Sequence, residues 1–111
     1  MPRTSSQTVT IANAGTVSTA VRIDPAMVTG VVMPSAFTGT ALAIHGSLTF
    51  DGTYQALFDS DGNAVSLGVA ASRSIGLSGA EAAVVAAFPF LKVVSNAAEA
   101  AERVITIVTR L

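Results

Sequence analysis

Hydrophobic and polar positions alternate over short stretches along most of the chain, and turn residues separate the stretches. Gln7–Ala12 puts Val9 and Ile11 on one face, and Val17–Ile23 does the same with Val17, Val21 and Ile23. Asn13-Ala14-Gly15 between them predicts a turn. Val28–Met33 is a short apolar run that stops before Pro34, as in a strand buried on both faces. Thr40–Phe50 is the longest alternation. Leu42, Ile44, Leu48 and Phe50 share one side, and Ala41, Ala43, His45, Ser47 and Thr49 share the other. Gly46 falls on the apolar side, which marks a bulge or a close contact.

Asp51-Gly52 predicts a two-residue type I′ hairpin, in which both central residues take positive φ. Thr53–Phe58 then returns antiparallel. Asp59–Asn63 is a second turn leading into Val65–Val69, and Ser72–Leu77 follows with Arg73, Ile75 and Leu77 on one side. The helical start is Ser78-Gly79-Ala80-Glu81, a capping box in which serine and glutamate satisfy each other's main-chain amides. Residues 80–87 make two turns with Val84, Val85 and Phe88 inward, and Pro89 stops them. Phe90–Ser95 and Arg103–Arg110 are strands, while Ala97–Glu102 fits helix and strand equally.

Eight or nine short strands at spacings of about 8–12 residues, with one short helix, predict an all-β antiparallel sandwich or jelly roll. The domain covers residues 8–111. A polar segment, residues 1–7, precedes it as a flexible arm, either a frayed terminus or a strap onto a neighbour.

Composition changes this picture in one respect. Half of the 111 residues are hydrophobic and only 12% are charged, about half the usual share for a globular domain. Twenty-three Ser and Thr outnumber thirteen charged residues, and between Asp24 and Asp51 the one ionisable side chain is His45. Pro25–Phe50 is long enough to cross a bilayer, but its prolines, glycines and strand-like alternation argue against a membrane helix. A net charge of −1 gives no basic footprint for nucleic acid. The absence of Cys excludes disulfides and thiolate chemistry, and the polar start lacks the apolar core of a signal peptide.

Little in the chain is equipped for catalysis. His45 is the one side chain that titrates near neutrality, yet no G-x-S-x-G elbow accompanies it, and a triad with Asp51 and one of eleven serines is disfavoured. Asp59-Ser60-Asp61-Gly62-Asn63 looks like half a calcium loop, but the twelfth position holds Ala70, so an Asx-type turn is the better reading. Glu99 and Glu102 are expected to be solvated or capping. Arg73, Arg103 and Arg110 are expected in salt bridges or at a rim, and the five Phe and one Tyr in the core. No enzyme activity, metal or cofactor is expected.

From about Pro34 the sequence resembles small structural proteins of tailed bacteriophages. The matching segments are Pro34-Ser35-Ala36-Phe37-Thr38, Leu48-Thr49-Phe50-Asp51-Gly52-Thr53-Tyr54, Leu57-Phe58-Asp59 with Gly62, Ser72-Arg73-Ser74-Ile75-Gly76-Leu77, Leu91-Lys92-Val93-Val94-Ser95 and Ala101-Glu102-Arg103-Val104-Ile105-Thr106-Ile107. The sequence departs from that family where Phe37 stands in place of a frequent Trp, and in a shorter segment before Asp51-Gly52. The resemblance implies a β-sandwich virion component without enzymatic activity, often a capsid decoration (cement) protein or a head- or tail-associated one.

The expected partners are the major capsid protein or other virion proteins and further copies of the chain, with a trimer favoured. The expected location is the virion, assembled in the host cytoplasm. Candidate interface residues are Arg3, Met27, Val31, Met33, Phe37 and His45. Outer strand faces carrying Ser, Thr and Ala fit such a role, because little charge must be desolvated on docking. A head–tail or tail adaptor, or a carbohydrate-binding sandwich using exposed aromatics and the Asp59–Asn63 turn, is the alternative.

Overall fold

The computed structural model describes residues 4–111 and contains nine strands and one helix among them. Strands β1 (Thr4–Ile11), β9 (Arg103–Arg110), β3 (Met27–Val32) and β7 (Ser74–Gly76) form one sheet in that order. Strands β2 (Val21–Arg22), β8 (Phe90–Ser95), β4 (Ala41–Ser47) and β5 (Gln55–Ala56) form the second, with β6 (Ser66–Gly68) also paired to β4. Every pairing is antiparallel. Odd-numbered strands lie in one sheet and even-numbered strands in the other, apart from β5, which shares the second sheet's far side with β6. This is the interleaved double Greek key of a jelly roll.

Alternation decides which side of each sheet is buried. Val9, Val28, Val31 and Ile107 from the first sheet meet Val21, Ile44, Leu91 and Val93 from the second around an interior void of about 10 Å³. That is at most the space of one water. Gly30 lies where β3 shifts register against β9, and a Cβ there would sit 2.6 Å from the Ile75 carbonyl oxygen. Only glycine lets β3 and β7 approach this closely. Gly46 is also a close contact, facing Leu57 and Phe88. The α1 helix (Gly79–Val85) has the expected capping box, with Ser78 Oγ accepting from the Glu81 amide and the Ser78 amide donating to Glu81 Oε1. Val85 is buried in the core, with Val84 and Phe88 half-buried beside it.

Four expectations change. Thr4–Gln7 is not a free arm, because these residues pair with Ile107–Arg110 as the start of β1. Val17–Ile23 is not one strand: Ser18 bridges to Ile11, Val17 to Val94, and the chain crosses between sheets before β2. Buried Ser18 drives this, accepting from the Val93 amide and donating to the Thr19 carbonyl, so Val17 faces solvent. Strand β4 ends at Ser47, whose hydroxyl accepts from the Thr49 amide and donates to the Thr49 carbonyl, turning the chain outward. Leu48 and Phe50 are therefore exposed. Asp51-Gly52 is no type I′ turn, since neither residue has positive φ; β4 and β5 are joined by the longer loop 48–54.

Candidate interaction surface

The register of the first sheet fixes its outer face. Opposite the core residues Val9, Ile11, Ile105, Ile107 and Thr109 stand Thr4, Ser6, Thr8 and Thr10 of β1 and Val104, Thr106, Val108 and Arg110 of β9. Met27, Gly30 and Val32 of β3 and Ser74 and Gly76 of β7 complete it. Arg110 is the one charged residue on this face among the described residues. Val104, Met27 and Val32 are 45, 44 and 38% exposed. Four strands about 4.8 Å apart, from about 27 Å long in β1 and β9 to about 10 Å in β7, make a face of roughly 400 Å².

The second sheet is different. Its outer face carries His45, Lys92, Phe90 and Arg22 beside Ala41, Ala43 and Ser66, and the 48–54 loop folds over part of it. Phe50 meets Phe90 edge-on at 5.8 Å, Lys92 Nζ lies 4.5 Å from the Tyr54 ring centre, and Tyr54 donates to the Phe50 carbonyl. Phe50, Tyr54 and Lys92, with Thr19, Ala20, Asp51 and Gly52, line an open cleft of about 450 Å³. Burial lowers the pKa of half-buried His45, and among the described residues His45 makes no hydrogen bond to a serine or aspartate.

Of the candidate interface residues, Met27 lies on the outer face of the first sheet, opposite Arg110, and His45 on the opposite sheet. Arg3 lies outside the described residues. Val31, Met33 and Phe37 are corrected to core positions, at 1, 3 and 5% exposure. Val31 takes the inward parity of β3 opposite Ile107, and Phe37 lies beneath Gly39. The absence of charge in this stretch thus has two causes: part of it is core and part is outer face.

The Asp59–Asn63 turn closes on itself. Asp59 Oδ1 accepts from the Asp61 and Asn63 amides at 2.9 Å each, and Gly62 takes φ +86°. The Asn63 amide, with the other turn donors, holds the Asp59 carboxyl below its ordinary range. No group of three or more His, Asp or Glu gathers among the described residues.

Glu99, expected from sequence to be solvated or capping, is not solvated. Its side chain is fully buried in the irregular 96–102 segment and accepts from the Thr38 amide, the Thr38 hydroxyl, the Gly39 amide and Arg103 Nε at 3.0, 2.8, 3.1 and 2.9 Å. Its main chain also bonds Ala14 and Gly15. Burial pushes this carboxyl up, but Arg103 and the Thr38 and Gly39 donors outweigh it and hold the pKa below the ordinary 4.5. Glu99 therefore ties three loops together at one end of the sandwich. A glutamate in an Ala-rich segment, with Glu102 three residues on, gives no sequence signal that its partners are Thr38 and Gly39.

The chain matches no family model and no curated protein.

Proposed function

We propose that the protein is a structural component of a tailed-phage virion, a capsid decoration or cement protein that docks on the major capsid protein through the outer face of the β1-β9-β3-β7 sheet. The observation that carries this reading is the neutrality of that face, which offers Thr, Ser and Val across four strands with Arg110 as its one charge among the described residues. Desolvating such a surface costs little, because its one charge among the described residues, Arg110, stands at the end of β9 and not at the centre of the face. The sequence resemblance supports the same reading. The jelly roll supports it weakly, since that fold serves viral capsid and lectin domains alike. No catalytic chemistry or cofactor enters the mechanism; binding is by contact, each contact weak and multiplied by the symmetry of the shell.

The test is co-sedimentation with heads of the encoding phage that have been stripped of their accessory proteins. Wild-type protein is expected to pellet with heads, and Thr106→Glu, which places a carboxylate at the centre of the face, to remain in the supernatant while melting as wild type does. Wild-type protein that stays in the supernatant refutes the proposal.

A glycan-binding reading has one observation in its favour, the cleft in which exposed Phe50 stands with Tyr54 between Asp51 and Lys92. It predicts glycan-array binding that is lost in Tyr54→Ala, and an empty array removes it.

A further inference from the structure

We infer that two copies of this chain pair antiparallel through the open edge of β1, joining their first sheets into one continuous eight-stranded sheet. The inference begins with main-chain groups. The Thr10 amide and carbonyl both face away from β9, bonding Thr19 Oγ1 and the Thr19 amide at 3.0 and 2.9 Å. Successive residues of a strand point their main-chain groups to opposite sides. Thr8, Ser6 and Thr4 therefore present their N–H and C=O groups on the same side as Thr10; Arg22 of β2, in the second sheet, touches β1 here by accepting from the Gln7 side chain at 2.8 Å and leaves those main-chain groups unbonded. Among the described residues nothing pairs with them. Ser5, Gln7, Val9 and Ile11 point theirs at β9.

Such an edge is normally guarded by charge, proline or a bulge. Thr4–Ile11 has none of these, and its register against β9 runs without a break. The other sheet edges end in strands of two or three residues. Thus β1 is the long unguarded edge. An identical strand is its natural complement: centred on Ser6, an antiparallel pair sets Thr4 opposite Thr8, Ser6 opposite Ser6 and Thr8 opposite Thr4. Each of these three is a hydrogen-bonded pair exchanging two bonds, and the interface closes at two copies. The inferred assembly is therefore a dimer, where the sequence favoured a trimer.

Pairing also continues the neutral outer face across the two-fold axis. One face of roughly 400 Å² becomes one of about 800 Å², the share each partner contributes to a standard stable interface. This consequence rests on the capsid-docking reading; the edge pairing itself does not.

The natural chain lacks cysteine, so single cysteines report cleanly. Cα atoms in a hydrogen-bonded antiparallel pair stand about 5.5 Å apart, within disulfide range. Under mild oxidation Ser6→Cys is expected to form a covalent dimer roughly tenfold faster than Ser66→Cys on the opposite sheet or Thr106→Cys in the middle of the neutral face, through effective concentration. In sedimentation velocity the wild type should shift from monomer to dimer with concentration. Ser6→Pro, which removes an amide facing the open edge and spares the β9 bonds, should stay monomeric.

Equal rates for the three cysteines overturn the inference, as does faster linkage at Thr106, which would mean that copies stack by faces. A trimer mass, or a monomer at every concentration, also overturns it. Heads that fail to bind a protein trapped through Ser6→Cys would refute capsid docking and leave the edge pairing intact.

Discussion

Replacing Glu99 by glutamine tests whether this buried carboxylate holds its end of the sandwich together. The substitution keeps the side-chain shape and removes one acceptor oxygen and the charge. Oε1 accepts from the Thr38 amide and Arg103, and Oε2 from the Thr38 hydroxyl and the Gly39 amide. An amide that keeps its oxygen at the Oε1 position turns its NH2 toward the other two donors. The Thr38 hydroxyl can rotate to accept, but the Gly39 amide is left facing a donor, and Arg103 loses its counter-charge.

An unmet buried donor costs about 1–3 kcal/mol and a hydrogen bond to a charged partner is worth about 1.5–3 kcal/mol. A net loss near 3 kcal/mol follows. With an unfolding entropy of about 2.1 cal/mol/K per residue over 111 residues, that loss lowers Tm by about 13 °C at pH 7. The dependence on pH supplies the sign. Because the folded pKa of Glu99 lies below its ordinary 4.5, its contribution is present above that value and is lost as the pH falls through the folded pKa. Thermal melts followed by circular dichroism should therefore show a wide gap between wild type and Glu99→Gln at pH 7 that narrows toward pH 3. A gap under about 4 °C at pH 7, or one of constant width, refutes the reasoning.

Gly30→Ala sets a methyl group 2.6 Å from the Ile75 carbonyl oxygen and should cost about 2–3 kcal/mol in urea unfolding. Gly68→Ala, with open space at its Cβ, should cost under about 0.5 kcal/mol, and equal effects would show that close approach is not what Gly30 provides. His45 has a folded pKa lowered by burial from its ordinary 6.5, so the unfolded chain binds its proton more readily. Wild-type stability should fall as the pH drops below about 6.5 toward the folded pKa, and His45→Gln should lack that step in melts between pH 7.5 and 5.

The sequence revealed the fold where local pattern and tertiary role coincide. Strands β8 and β9 have the predicted bounds because period-two alternation and one-sided burial agree along their whole length. The capping box around Ser78 and Glu81 was equally legible, since both partners lie within one turn. Prediction failed where a side chain answers to something distant in sequence. Ser18 turns inward to meet Val93, 75 residues away, and breaks an otherwise strand-like run. Glu99 is decided by Thr38 and Gly39, about 60 residues away. At the surface, low charge foretold neutral faces but could not separate Met27, which lies on one, from Val31, Met33 and Phe37, which are core.

The distribution of charge links these results. Asp24, Asp51, Asp59, Asp61, Glu81, Glu99, Glu102 and Arg73 all lie outside strands, where several serve turns, a helix cap or the Glu99 junction. Strands carry Arg22, Lys92, Arg103 and Arg110, and Arg103 is consumed by Glu99. The first sheet thus meets water through hydroxyls and small apolar groups. A partner docking there exchanges hydrogen bonds and buries methyls, with Arg110 alone able to contribute a long-range term. Its affinity should therefore be nearly indifferent to salt, since screening acts on charge pairs and leaves neutral contacts alone. Between 50 and 500 mM NaCl, Kd for stripped heads should change by less than about threefold, and Arg110→Gln should flatten even that slope. A loss of tenfold or more would mean that charged loops carry the docking, and would move the interface away from this sheet.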